Sequence, residues 1–214
     1  YAIDNETMKI IWFLNLNQSL DLNPSNLFKG SEIAKNSILN DNDFITILNK
    51  AEGDSSFKII SALSTADREF IPRMYWWATN KLWYLNNKPA IERVNQRELL
   101  EVIMHRVIAL EPEYLFGGPF RFFGVFYTRI PGIDVGQSKV YFEKAIKSYP
   151  NYLGNMVQMA EFYHQKTENR DLFQKQLKSA LNIDPTINPK VIPENIFYQH
   201  RASYLLDQKQ ILFE

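Results

Sequence analysis

The sequence predicts an all-α protein, a tetratricopeptide-like α-solenoid of helical hairpins closed by a C-terminal capping helix. Three observations carry that reading. From about residue 65 onward the apolar residues recur at helical spacing, and no alternating strand pattern interrupts them. Pro72, Pro89, Pro112, Pro131, Pro150 and Pro185 each fall at a joint between apolar periodic segments, where helices start or stop. Three of those joints look alike: "ALEPEY", "KSYPNY" and "NIDPTI" each follow an amphipathic stretch, at intervals of 38 and then 35 residues.

A period of that length marks an array of helical hairpins, and the nearest match is the tetratricopeptide repeat of about 34 residues. If Pro150 closes one repeat, Phe142 and Ala145 occupy the aromatic and small positions that its second helix needs. Ala160 and Tyr163 then take the small and aromatic positions of the next first helix. Counting back through the loop "RIPGIDVG" puts Phe123, Gly124 and Tyr127 at the equivalent places. An earlier, looser unit joins "MYWWATNKLWYL" to "RELLEVIMHRVIAL" through a longer loop. The closing "NIFYQHRASYLLDQKQILFE" reads as one terminal helix covering the open end of the array, as solenoids require.

Residues 65–214 are thus read as a repeat domain, and residues 1–64 as an N-terminal helical segment of unsettled topology. Within the latter, "NPSNLFKGSEIAKNSIL", "NDNDFITILNKAE" and "DSSFKIISALSTADREF" each place Ser, Asp or Asn ahead of an apolar run, as capped helices do. The stretch "MKIIWFLNLNQSL" has the flavour of a signal segment, but Asn15 and Asn17 interrupt its apolar run, which reads as a buried helix.

Composition narrows the chemistry. Twenty-four Lys and Arg balance twenty-four Asp and Glu, so the net charge gives no reason to expect a nucleic-acid partner. With no cysteine, disulfides, thiolate metal sites and a catalytic thiol are excluded. His105, His164 and His200 lie far apart, so no metal site and no cofactor is expected. No run of apolar residues is long enough to span a bilayer as a helix. Nucleophile elbows and paired acid motifs are lacking, and the chain reads as a non-enzyme. Glu161 and His164, three residues apart on one helix face, are a thin basis for hydrolase or lyase chemistry.

The densest stretch is "GGPFRFFGVFYTRIPG", residues 117–132. Its glycines match neither a dinucleotide fingerprint nor a P-loop, and no strand precedes them. Gly117 and Gly118 suit a linker, Pro119 the first turn of a helix, and Gly124 a close approach of two helices. In the repeat register the concave face receives Tyr75, Thr79, Leu82 and Trp83, then Arg121, Val125, Thr128 and Arg129, then Val157, Glu161, His164 and Gln165. Arg121, Arg129, Glu161 and His164 would share a groove with aromatic walls, able to hold a carboxylate or a peptide end. Equally, Arg121 and Glu161 could simply pair with each other between adjacent helices. Trp76 and Trp77 read as core, and "EKAIK" and "NRDLFQKQLK" as solvated charged faces.

Together "MYWWA", "LEPEYLFGGPFRFFGVFYTRIPG", "SKVYFEKAIKSYPNYL", "MAEFYHQKTENRDLFQKQLKSAL" and "RASYLLDQKQILF" resemble the TatT family, the tetratricopeptide-containing T component associated with TRAP transporters. The resemblance covers about residues 66–214, in order and at matching intervals. It extends to Gly117, Gly118, Pro119, Arg121, Gly124, Tyr127, Pro131, Glu161, Tyr163, Asp171 and Phe173. It implies a periplasmic, lipid-anchored protein that docks a TRAP-type solute-binding protein, assembles as a trimer, and lines a groove or pore for a small, often hydrophobic, organic acid. The sequence holds no lipobox cysteine, so the implied anchor would lie upstream of Tyr1. Without the resemblance, the same groove reads as that of a general peptide-binding adaptor of the cell envelope.

Overall fold

A computed structural model describes residues 66–214. The expected helices and the domain within residues 1–64 lie outside that range. Every regular element among the described residues is helical, so the class is all-α. The chain divides into two compact units, one ending at Glu111 and the other running from Pro112 to Glu214.

In the first unit, α1 spans Ile71–Asn86, a short α2 Ala90–Asn95, and α3 Arg97–Leu110. Pro72 sits in the first turn of α1, where its missing N–H costs no hydrogen bond. The long loop expected between the two helices of this hairpin folds its extra residues into α2. Helix α1 packs on α3, and Met74, Ala78 and Leu82 of the one and Leu100, Ile103 and Met104 of the other are all buried. Tyr75, Trp76, Trp77 and Trp83 are buried too, with Tyr75 and Trp76 edge-to-face at 5.2 Å.

In the second unit, α4 covers Tyr114–Arg129, α5 Gly136–Ser148, and α6 Leu153–Gln158. Helix α6 runs straight on into a π-helical turn, Met159–His164. Then come α7, Arg170–Leu181; α8, Ile192–Asp207; and α9, Lys209–Leu212. The terminal helix expected as one piece is therefore two, broken at Gln208, whose N–H turns back to the carbonyl of Tyr204. Asn169 caps α7 by accepting from the N–H of Leu172.

Helices α4 and α5 pack closely along their length, and Gly124 is the reason. A Cβ there would lie 2.7 Å from the ring of Phe142, so the helices touch only because residue 124 has no side chain. Ser138 reinforces the contact by donating to the carbonyl of Gly124 at 2.6 Å. Phe122, Phe123 and Phe126 fill the space around it, with Phe123 stacked on Tyr127 at 5.4 Å. Gly154 repeats the device at the start of α6, where a Cβ would run into the ring of Tyr198.

Two joints are stitched by side-chain amides. Asn155 at the head of α6 donates to the carbonyls of Ala145 and Tyr149, which end α5. Gln199 on α8 donates to those of Leu181 and Ile183, which end α7. Carbonyls at a helix end thus take a donor from the next helix, at Ala145 and Tyr149 in addition to a backbone N–H.

Gly124→Ala should destabilise the protein by about 2 kcal/mol through overpacking on Phe142. Combining it with Phe142→Leu should recover part of the loss. Urea unfolding midpoints decide it, and a Gly124→Ala variant as stable as the parent would disprove the close approach.

Candidate functional site

The second unit holds an unusual backbone at the head of α4. Leu115, Phe116 and Gly117 all lie in the left-handed region, at φ 46°, 57° and 76°. Only Gly117 is free of a Cβ penalty; the other two cost about 1–2 kcal/mol each. A Cβ on Gly117 would also press on Ala145 and Tyr149 at 3.3 Å. Right-handed helix resumes at once, with Pro119 in its opening turn as expected.

Arg121 holds this turn. Its guanidinium donates to the carbonyls of Leu115 and Phe116, each at 3.4 Å, and to Oδ1 of Asn155 at 2.8 Å. It lies 4.5 Å over the ring of Tyr152, which also stacks on Phe116 at 5.5 Å. Asn155 completes the node by donating to the carbonyl of Phe116 at 3.3 Å. The expectation of Arg121 in an open groove is therefore corrected: the side chain is 5% exposed and turned inward. The alternative, a pairing of Arg121 with Glu161, is not what forms: Arg201 of α8 takes Glu161.

His164 also turns inward. It is 3% exposed, and its Nε2 meets Oε1 of Gln176 on α7 at 2.8 Å. Gln176 gives its own N–H to the carbonyl of Met156, so His164 carries its proton on Nε2. Its Nδ1 then stays buried with no hydrogen-bond partner among the described residues. Burial holds the imidazole below its ordinary pKa, opposed by the Gln176 hydrogen bond and reinforced by the charge of Lys139. The π turn explains the misplacement: one inserted residue rotates the side chains beyond it, relative to a plain helical count.

Thr128, Arg129 and Glu161 do come together. They line a cleft of about 600 Å³ within the second unit. Arg129 ends α4, is exposed, and stacks 5.0 Å over the ring of Phe162 in the π turn. Lys166 and Arg170 add two further cations, Glu168 and Glu214 two carboxylates, and Leu212 and Phe213 an apolar wall. Arg170 and Lys166 escaped the sequence reading because they sit in polar runs that look merely solvated. Arg201, which answers the charge of Glu161, stands 40 residues away, and the run "QHRASYLL" offers only a lone cation inside an otherwise apolar face as a clue.

Tyr75 and Trp83, the other expected groove residues, belong to the first unit and are 4% and 8% exposed. Among the motif residues Gly117, Gly118, Pro119, Gly124, Tyr127 and Phe173 are buried, Tyr163 is half-buried, and Asp171 is exposed in the first turn of α7. No cluster of His, Asp or Glu among the described residues could hold a metal ion. No described helix is long and apolar enough to cross a membrane.

A family model described as TRAP transporter T-component matches residues 27–213. No curated protein matches the sequence.

Arg121→Ala should lower stability by about 3 kcal/mol, because it takes from the carbonyl of Leu115 its side-chain donor, from that of Phe116 one of two, and from the buried Oδ1 of Asn155 its charged partner. Arg121→Lys should rescue little, since an ammonium cannot span the same acceptors. Denaturation that finds Arg121→Ala within 0.5 kcal/mol of the parent, roughly the noise of such data, would remove the clamp.

For His164 the sign follows from its lowered pKa. The unfolded chain takes up a proton near pH 6.5 while the folded protein resists it. Stability is therefore full above about pH 6.5 and falls as the pH drops below it. His164→Gln should flatten that fall between pH 7.5 and 5; parallel curves for variant and parent would show that His164 does not contribute.

Proposed function

The chain belongs to the TRAP transporter T-component family, and on that premise we propose that it is a non-enzymatic binding and scaffold component of the periplasm. It docks the solute-binding protein of its TRAP system, holds a small organic acid in a groove, is lipid-anchored, and works as an oligomer, a trimer by family resemblance. The observation that carries this reading is the family match over residues 27–213, nearly the whole sequence. The chemistry of the second unit agrees with it. A cleft with cationic side chains beside aromatic walls suits binding.

The test is capture of the full-length protein from its native cell envelope after mild crosslinking, followed by identification of what accompanies it. Recovery of a TRAP solute-binding protein is the expected result. Consistent recovery of other envelope proteins through an extended segment, with no solute-binding protein, would favour a general peptide-binding adaptor and overturn the transport reading.

A further inference from the structure

One buried titratable side chain holds α7 at two places. The carbonyl of His164, at the end of the π turn, accepts the N–H of Asn169 at 2.8 Å, and Asn169 in turn caps α7. Between the two, Glu168 lies in the left-handed region at φ 53°, so the closed joint is strained. The ring of His164 gives its Nε2–H to Gln176 in the middle of α7, and Gln176 passes its own N–H to the carbonyl of Met156 on α6. The start and the middle of α7 thus both rest on one residue.

The second ring nitrogen has no such place. Nδ1 is buried without a hydrogen-bond partner among the described residues, so a proton there adds a buried donor with no acceptor and a charge with no counter-ion. The elements packed on the π turn are α4, α5, α6 and α7, and none of them answers that charge. From α7 the ring meets the neutral Gln176, while Arg170, Asp171, Lys175 and Lys178 are all exposed. Helix α6 carries no charged residue. On α5 the charge of Lys139 opposes protonation, and Lys139 pairs with Glu143 at 3.7 Å in solvent. On α4 Arg121 is engaged at Asn155 and Arg129 lies over Phe162. In the turn itself Arg201 holds Glu161, and the ring of Tyr163 meets that of His164 edge-to-face at 5.3 Å.

We propose that His164 is an acid-sensitive latch: a proton on Nδ1 turns the ring outward, breaks its bond to Gln176 and releases the N-terminal half of α7 from the π turn. The far end of α7 stays in place, because Gln199 of α8 holds the carbonyls of Leu181 and Ile183. Phe173, buried in the closed form against Phe213, is uncovered, and Arg170 leaves the cleft wall with the released half. Acidity is thereby converted into a local opening rather than loss of the whole unit. The latch does not rest on what the protein carries or docks.

Opening takes up a proton, because a solvated imidazole protonates near pH 6.5 and the closed one resists it. Each pH unit below that should favour the open form up to about tenfold. Amide hydrogen exchange of the full chain tests this, read as protection factors at pH 7.5, 6.5 and 5.5 so that the intrinsic pH dependence of exchange drops out. Between pH 6.5 and 5.5 protection at residues 173–177 should fall about tenfold, while that of Leu181 on α7 and of Phe142 on α5 holds. His164→Gln should keep residues 173–177 protected over the whole range. If that variant does not fold, NMR titration of the parent's His164 ring decides in its place, with an expected midpoint below that of an unfolded peptide carrying the same residue. Protection that falls equally across the second unit, protection unchanged between pH 6.5 and 5.5, a fall that persists in His164→Gln, or a ring midpoint at or above that of the peptide would each overturn the latch.

Discussion

Three left-handed residues must give way at once to a right-handed helix at Gly118, and Arg121, one turn further on, supplies the donors that make the reversal tolerable. The cost of Leu115 and Phe116 in that conformation is a few kcal/mol, comparable with a large part of the stability of a small domain. It is offset only while the guanidinium, Asn155 and Tyr152 stay together. Because Asn155 also ties down the end of α5, one buried node fixes where α4 starts, where α5 stops and how α6 enters. Arg129 reaches its place at the far end of α4 from that fixed origin.

The second departure from regular geometry, the π turn, follows directly on α6 in the same unit. Its residues Glu161 and Phe162 form the wall of the cleft, while His164, at the turn's end, is buried against Gln176. Irregular turns of this kind cluster where side chains need aiming rather than where a helix merely needs length. Here the aim separates a charged wall from a buried imidazole three residues away.

Much of this was legible in the sequence. The prolines marked helix joints, Gly124 was readable as a close approach, and Phe142, Ala145 and Ala160 fell on a buried face because their spacing is helical. What was not legible shares one cause: it depends on geometry that residue type does not announce. Leu115 and Phe116 are poor candidates for left-handed backbone, so only Gly117 carried a hint. A π turn has no composition of its own, and after it the helical count no longer says which way a side chain points. Among the described residues Arg121 meets the neutral amide of Asn155, and the partner of Glu161 comes from a helix 40 residues on. Charge alone therefore does not name the partner of Glu161.

The joints of the second unit are closed by the neutral amides of Asn155, Gln199 and Asn195, the last of which accepts from the N–H of Leu153 and donates to the carbonyl of Asn151. Dissolved salt screens charges and leaves such amide hydrogen bonds almost untouched. The part-buried bridge from Arg201 to Glu161 is a contact between charges, which ions in the medium weaken on its solvent-facing side, though less than the exposed pair of Lys139 and Glu143. The ionic strength around the protein can thus retune the charge presented by the cleft while the framework that carries it stays as it is.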